Sequence, residues 1–144
     1  MNRSDMAVAC FREGFTCSQA VLTAFADECG LDRKTAMRIA LGFGGGMGRM
    51  ALTCGAVTGA IMVIGLKKAR IVGPDEESKQ RTYGLVRELR RRFESRNGSI
   101  LCRELLGCDV GTPEGFEQAK LKGLLVTRCP KFVADSVEIL EEIT

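Results

Sequence analysis

Apolar residues along this chain recur at intervals of three and four positions, and no segment shows a sustained alternation of apolar and polar residues. In the segment CSQAVLTAFADEC, the apolar side chains fall on one face of a helix that Gly30 ends. They belong to Ala20, Val21, Ala24 and Phe25. The pattern predicts an all-α fold, a compact bundle of about six to seven helices.

Polar residues at the ends of these segments mark where helices begin. Ser4 and Asp5 are suited to cap a first helix, and Asp32 is suited to cap RKTAMRIALGF. Ser99 is the expected cap of a short helix in SILCRELLG, whereas EGFEQAKLKGLLV is predicted as one helix. Because no linker or internal repeat interrupts this series, residues 1–144 are expected to form a single helical domain.

A glycine-rich loop and a buried central helix are predicted in the middle of the chain. Five of the seven residues of GFGGGMG, at positions 42–48, are glycine, so this segment is not expected to form regular structure. The 17 uncharged residues between Arg49 and Lys67 are at the lower edge of bilayer-spanning length, and their small and polar residues favour a core helix. Gly55 and Gly59 form a GxxxG pattern, which is compatible with a homodimer interface without requiring one.

The composition indicates that any catalytic or metal-binding chemistry of this chain rests largely on the sulfur atoms of cysteine. The 144 residues include seven cysteines and no histidine, which excludes Ser-His-Asp and Cys-His catalysis, His-ligated zinc and CxxCH haem attachment. The first residues show no secretory signal, so we expect a cytoplasmic protein of a prokaryote-like cell. In that compartment the cysteines are reduced thiols, metal ligands or redox groups instead of a disulfide framework.

The spacing of the cysteines narrows the kind of site they form. No two are spaced as CxxC, which excludes a thioredoxin-type motif and a zinc ribbon, and the ferredoxin run is absent. Four fall at predicted helix starts, where unpaired N–H groups and the helix dipole stabilise a thiolate: Cys17, Cys54, Cys102 and Cys129. The other three are expected to pack as small apolar residues: Cys10, Cys29 and Cys108.

The segment before Cys54 is the most specific signal. A loop poor in side chains precedes a cysteine that opens the buried helix, and such a loop exposes backbone N–H groups as an anion-binding nest. The glycines expected to contact a bound group are Gly44, Gly45, Gly46 and Gly55. No register of these glycines matches GxGxxG or a P-loop, so a nucleotide site is not predicted. A tight turn needed only for helix packing is the alternative interpretation.

The segment CGAVTG, which begins at Cys54, fits the pattern CGAxxG, and the chain around it resembles the redox-active protein family named C_GCAxxG_C_C. The resemblance covers about residues 11–140 and places the family's other three cysteines at Cys17 in GFTCSQAVLTAF, Cys102 in LCRELLG and Cys129 in CPKFV. It implies a redox role for these four. Because family members tend to be encoded near transporter genes, it also implies a redox partner or a transporter component as partner.

Three functions fit these features. In the first, Cys54 is the nucleophilic or electron-accepting thiolate of a thiol-based oxidoreductase, and one of the other three cysteines resolves it as a disulfide. In the second, the same four residues, Cys17, Cys54, Cys102 and Cys129, hold an iron–sulfur cluster or zinc. In the third, the chain is a non-catalytic helical interaction module beside a transporter, with its cysteines buried in the core.

The net charge of the chain does not indicate a further class of partner. The 21 basic and 18 acidic residues give a net charge of +3, too small to indicate nucleic acid or an anionic membrane. An arginine-rich helix end is expected to be a solvated face: Arg87, Arg90, Arg91, Arg92 and Arg96. The aromatic residues near it, Tyr83 and Phe93, are spaced as core residues, so an anionic ligand or an acidic partner is favoured over nucleic acid as the alternative. The last helix carries carboxylates that are expected to be ordinary solvated residues: Glu138, Glu141 and Glu142.

Overall fold

Nine helices follow one another in the computed structural model, which describes residues 1–144. They are α1 (Arg3–Arg12), α2 (Cys17–Ala26), α3 (Arg33–Leu41), α4 (Gly55–Lys68), α5 (Glu76–Asn97), α6 (Cys102–Leu106), α7 (Pro113–Leu121), α8 (Leu124–Thr127) and α9 (Cys129–Ile143). The only strand-like pairing is an isolated antiparallel bridge between Thr53 and Leu101. The all-α prediction is confirmed. The helix count exceeds the predicted six to seven because α6 and α8 are short additional elements.

Two of the predicted helix caps are wrong and one is confirmed. Asn2 caps α1, with its side chain accepting from the N–H of Asp5 at 2.8 Å, so Ser4 and Asp5 lie inside the helix. Asp32 caps α3 as predicted. The cap of α6 is Leu101 instead of Ser99, because the bridge to Thr53 keeps the backbone extended up to this residue.

The predicted single helix EGFEQAKLKGLLV is two helices. It is interrupted at Gly123, whose φ of 66° lies in the left-handed region. Glycine adopts this conformation without the steric cost that other residues pay. The chain therefore ends α7 at Leu121 and starts the short α8 at Leu124.

The central helix α4 is buried, as predicted, and its GxxxG pattern packs against α2 of the same chain. Its fully buried side chains include Val63 and Ile64. A Cβ added at Gly55 would lie 3.0 Å from the amide nitrogen of Ser18, and one at Gly59 would lie 2.9 Å from the carbonyl oxygen of Ser18. The two glycines thus allow the backbones of α2 and α4 to touch. None of the helices combines the length and the apolar character needed to cross a membrane.

Ion pairs join α5 to α9, which corrects the expectation of merely solvated faces. Arg96 donates to three carboxylates of α9: Asp135 at 3.2 Å, Glu138 at 3.0 Å and Glu142 at 2.9 Å. Glu141 lies 3.8 Å from the guanidinium of Arg3 in α1. The arginine-rich end of α5 and the acidic face of α9 are therefore partly a packing interface between helices.

Candidate thiol site

Cys17 is the first residue of α2, and a capping box fixes its position. Thr16 accepts from the N–H of Gln19 at 3.2 Å, and the Gln19 side chain accepts from the N–H of Thr16 at 2.9 Å. The next residue, Ser18, donates to the carbonyl oxygen of Ala40 at 2.8 Å. These bonds anchor the start of α2 to α3, so that Cys17 is held by its neighbours on both sides.

Cys54 and Cys102 are brought together by the Thr53–Leu101 bridge. The N–H of Cys54 donates to Ile100 at 2.8 Å, and the N–H of Cys102 donates to Leu52 at 2.6 Å. Side chains alternate across an extended pair, so the cysteines that follow the two bridging residues share one face. Cys54 is the N-cap of α4 and Cys102 is the first residue of α6.

Cys129 is the first residue of α9, followed by a proline that suits this position. The preceding Arg128 donates to the carbonyl oxygens of Leu105 and Leu106 at 3.2 and 3.1 Å. Since both acceptors are at the end of α6, this arginine ties the start of α9 to the helix that carries Cys102. The predicted placement of these four cysteines at helix starts is confirmed.

The four cysteines line one cavity of about 540 Å³. Gly44, Gly45, Gly46 and Gly55 line the same cavity, so all eight residues singled out from the sequence meet there. Twelve of its nineteen lining residues are hydrophobic, which gives it the size and apolar character of a small-molecule pocket.

The glycine-rich loop can form this wall only with glycine at three of its positions, one of which is Gly45, where a Cβ would lie 2.9 Å from Cα of Arg49. A Cβ at Gly44 would lie 2.5 Å from Cγ2 of Thr16, the residue before Cys17. A Cβ at Gly46 would lie 2.6 Å from the amide nitrogen of Leu52, and the φ of Gly46 is 74°. The loop therefore packs backbone directly against the segments that carry Cys17 and Cys54.

The electrostatic surroundings distinguish Cys54 from Cys17. Interaction with Cys17 lowers the pKa of Cys54, and the N–H groups of Ala56 and Val57 lower it further, whereas burial acts in the opposite direction. Cys54 is the N-cap of α4, although its side chain makes no cap hydrogen bond. The pKa of Cys17 is raised by interaction with Cys129 and Cys54 and by burial. Cys17 therefore keeps its proton beside the sulfur of Cys54, where negative charge is favoured.

The thiol of Cys102, in the same cavity, differs from those of Cys17 and Cys54 in that burial is the main cause of its pKa shift. Burial raises its pKa to about 12, and negative charge on Cys54 or Cys129 raises it as well. It has no compensating contact with a cation or a helix amide that lowers this pKa. At neutral pH it is a protonated thiol.

The remaining three cysteines lie outside this cavity. Cys10 is buried beside a smaller cavity, with its sulfur 3.9 Å from Oγ1 of Thr23. Cys29 is half-buried and Cys108 is buried in the core. All seven cysteines are free thiols, and no three His, Cys, Asp or Glu side chains are arranged to hold a metal ion. The cavity cysteines as placed thus do not form a ready ligand set for zinc or an iron–sulfur cluster.

Arg49 and Phe116 line the cavity but were not among the residues predicted from the sequence. The guanidinium carbon of Arg49 lies 3.9 Å from the centre of the Phe116 ring. Nothing in the local pattern marks Phe116, which comes from α7, far along the chain. Arg49 directly follows the glycine-rich loop, and that position was the only signal available.

Comparison with known families gives one match. The model of the family described as "Putative redox-active protein (C_GCAxxG_C_C)" matches residues 15–143, and this range includes all four cavity cysteines. Comparisons with curated proteins and with solved structures found no match.

Proposed function

Because the chain belongs to the C_GCAxxG_C_C family of redox-active proteins, we propose that it carries out thiol–disulfide exchange in its cysteine-lined cavity. Cys54 is the attacking thiolate and Cys17 is the resolving thiol. The observation that carries this proposal is the closeness of the two cysteines in the cavity, since the Cβ of Cys17 lies 3.2 Å from where a Cβ at Gly55, the residue after Cys54, would lie. The pKa of Cys54 is lowered through Cys17, and the pKa of Cys17 is raised through Cys129 and Cys54, which agrees with these roles. A lowered pKa increases the fraction of nucleophilic thiolate at neutral pH.

The reaction reduces a disulfide, R–S–S–R, that enters the cavity. The Cys54 thiolate attacks one sulfur, so a mixed disulfide forms and the first R–S⁻ leaves. Cys17 then loses its proton and attacks the sulfur of Cys54, which forms the Cys17–Cys54 disulfide and releases the second R–S⁻. Two electrons pass from the cysteine pair to the substrate, and the Cys17 proton is taken up by a departing thiolate. An external dithiol restores the reduced pair by the reverse exchange.

The other two cavity cysteines have supporting roles in this scheme. Cys129 contributes most to the raised pKa of Cys17. It therefore helps to keep the resolving thiol protonated until the mixed disulfide has formed. Cys102, with its pKa near 12, is not an attacking group at neutral pH.

Reversible oxidation tests the proposal. Protein reduced with dithiothreitol and protein oxidised with a small disulfide are compared by thiol titration and by peptide mass mapping. We expect the oxidised form to lose two thiols, to contain a Cys17–Cys54 disulfide and to recover both thiols on reduction. Cys54→Ser should abolish this change. Cys108→Ser, a buried cysteine outside the cavity, is the matched control and should leave it intact.

Two results would contradict the proposal. One is a wild-type protein that shows no reversible loss of two thiols. The other is stoichiometric iron or zinc in protein purified without oxygen, lost in the Cys54→Ser variant, which would assign the same thiols to a metal centre.

A further inference from the structure

Arg49 is the only charged residue that lines the cysteine cavity. Its guanidinium forms no ion pair with any carboxylate of the chain and lies against the ring of Phe116, 3.9 Å from the ring centre. Arg96, by contrast, contacts three carboxylates. An unpaired guanidinium over an apolar cavity is positioned to meet a negative charge that the protein itself does not supply.

The backbone conformation of Arg49 is a second unusual feature of this residue. Its φ is 58°, in the left-handed region that residues with a side chain seldom occupy. The conformation is held by the loop, since the N–H of Arg49 donates to Gly44 at 3.0 Å. A residue kept in a costly backbone conformation is common at binding sites, where the surrounding structure imposes it.

Two backbone N–H groups of the same wall also lack a partner. The amides of Gly45 and Gly46 donate to no acceptor in the chain, although the carbonyl groups of both residues accept from Ala51 and Leu52 at 3.1 and 3.0 Å. Gly46 is buried and both glycines line the cavity. Successive N–H groups in a turn, as these two residues form, can make a nest that suits an anion. The φ values of Gly45 and Gly46 are 65° and 74°.

We propose that this wall is an anion-recognition site, and that the substrate of the cavity is a small organic disulfide with a carboxylate on an apolar body. Arg49 and the amides of Gly45 and Gly46 bind the carboxylate, while the apolar body lies against side chains such as Phe11 and Phe132. The inference of a disulfide rests on the proposed function. The anion site rests on Arg49 and the loop alone.

The cavity fits such a molecule in size and in charge. Its volume of about 540 Å³ lies within the range of pockets that enclose small ligands. A single cation among mostly hydrophobic residues favours one anionic group over a polyanion such as a nucleotide. A guanidinium and two amides offer the charge-assisted hydrogen bonds that a carboxylate needs when it leaves water.

Equilibrium binding of unreactive probes tests the anion site without any redox step. Nitrobenzoate and its neutral analogue nitrobenzamide are titrated into the reduced protein by calorimetry. We expect nitrobenzoate to bind about tenfold more tightly, the size expected for a hydrogen-bonded charge pair. Arg49→Gln should remove this preference, and Arg49→Lys should retain part of it. Arg87→Gln, which neutralises an exposed arginine that lies off the cavity, is the matched control and should leave it unchanged.

The outcomes separate this inference from the proposed function. Equal binding of the two probes, no binding of either, or a preference that survives Arg49→Gln would overturn the anion site. A Cys54→Ser variant that keeps the preference supports it. The disulfide form of the probe, dithiobis(nitrobenzoate), is then added to the wild-type protein. If nitrobenzoate shows the expected preference but this disulfide leaves Cys54 unmodified, the anion site stands and thiol–disulfide exchange is refuted.

Discussion

A substitution at Gly59 in α4 tests how closely α2 and α4 approach each other. The carbonyl oxygen of Ser18 in α2 occupies the space that a side chain at this position would need. A Cβ at this position would lie 2.9 Å from that oxygen and 3.2 Å from both Cα of Ser18 and Cβ of Val21. The first two of these atoms belong to helix backbone, which does not move aside as a flexible side chain does. Gly65, in the same helix, has no atom within 4 Å of the corresponding position.

The expected magnitude follows from comparing the two substitutions. Gly→Ala in a helix interior raises the free energy of unfolding by about 1 kcal/mol through backbone conformational freedom. This gain applies to both positions, so Gly65→Ala should be stabilising. Overpacking of a tight interface costs about 1–3 kcal/mol, and this cost applies to Gly59→Ala alone. The two variants should therefore differ by about 1–3 kcal/mol in their free energy of unfolding.

Urea denaturation followed by far-ultraviolet circular dichroism, in dithiothreitol, measures this difference. The corresponding separation in melting temperature is about 2–4 °C for each kcal/mol in a protein of this size. Equal shifts for Gly59→Ala and Gly65→Ala would refute the close approach of α2 and α4. A displaced α2 also moves Cys17, so Gly59→Ala should form the Cys17–Cys54 disulfide more slowly than Gly65→Ala.

Two further predictions concern pH and the ion pairs. The rate of iodoacetamide alkylation should reach half its maximum below pH 9.0 for Cys54 and near pH 12 for Cys102, measured by peptide mass spectrometry. Because Cys17 is the main cause of the lowered pKa, Cys17→Ala should move the Cys54 midpoint upward; an unchanged midpoint would contradict this cause. Asp135→Asn should lower the free energy of unfolding by about 1–3 kcal/mol, since its side chain is 11% exposed and accepts from three side-chain donors. Glu138→Gln, at 48% exposure, should change it by less than about 0.5 kcal/mol, and equal losses would refute the role of burial.

The features that the sequence predicted correctly depend on neighbours along the chain. Helix periodicity, the cap at Asp32 and the Cys129-Pro130 helix start are local patterns, and the structure places all three as expected. The placement of the cavity cysteines at helix starts was predictable for the same reason. Where a local prediction failed, as at Ser99, a contact from elsewhere in the chain decided the helix boundary.

The assembly of the site depends on contacts that no local pattern records. The Thr53–Leu101 bridge pairs residues 48 positions apart and thereby sets Cys54 beside Cys102, yet it is a single bridge with no strand around it to give an alternating pattern. The placement of Phe116 under the guanidinium of Arg49 likewise requires α7 to fold back onto the glycine-rich loop. The sequence therefore indicated the four cysteines and Cys54 as the candidate attacking thiolate, whereas the choice of Cys17 as its proposed partner depends on the structure.

The proposed order, in which Cys54 attacks first and Cys17 second, explains how thiol exchange could proceed in a chain without histidine. In many thiol enzymes an imidazole takes the proton of the attacking cysteine, but this chain has none. Here a second thiol and the amides of a helix start lower the pKa of Cys54, so the proposed exchange needs no separate base at the moment of attack. The proton that the reaction later requires is held on Cys17, whose pKa is raised by Cys129 and Cys54. Formation of the mixed disulfide removes the negative charge from Cys54 and with it part of that upward shift. In the proposed exchange, attack by Cys17 is thus favoured only after Cys54 has reacted, so the two thiols would act in a fixed order.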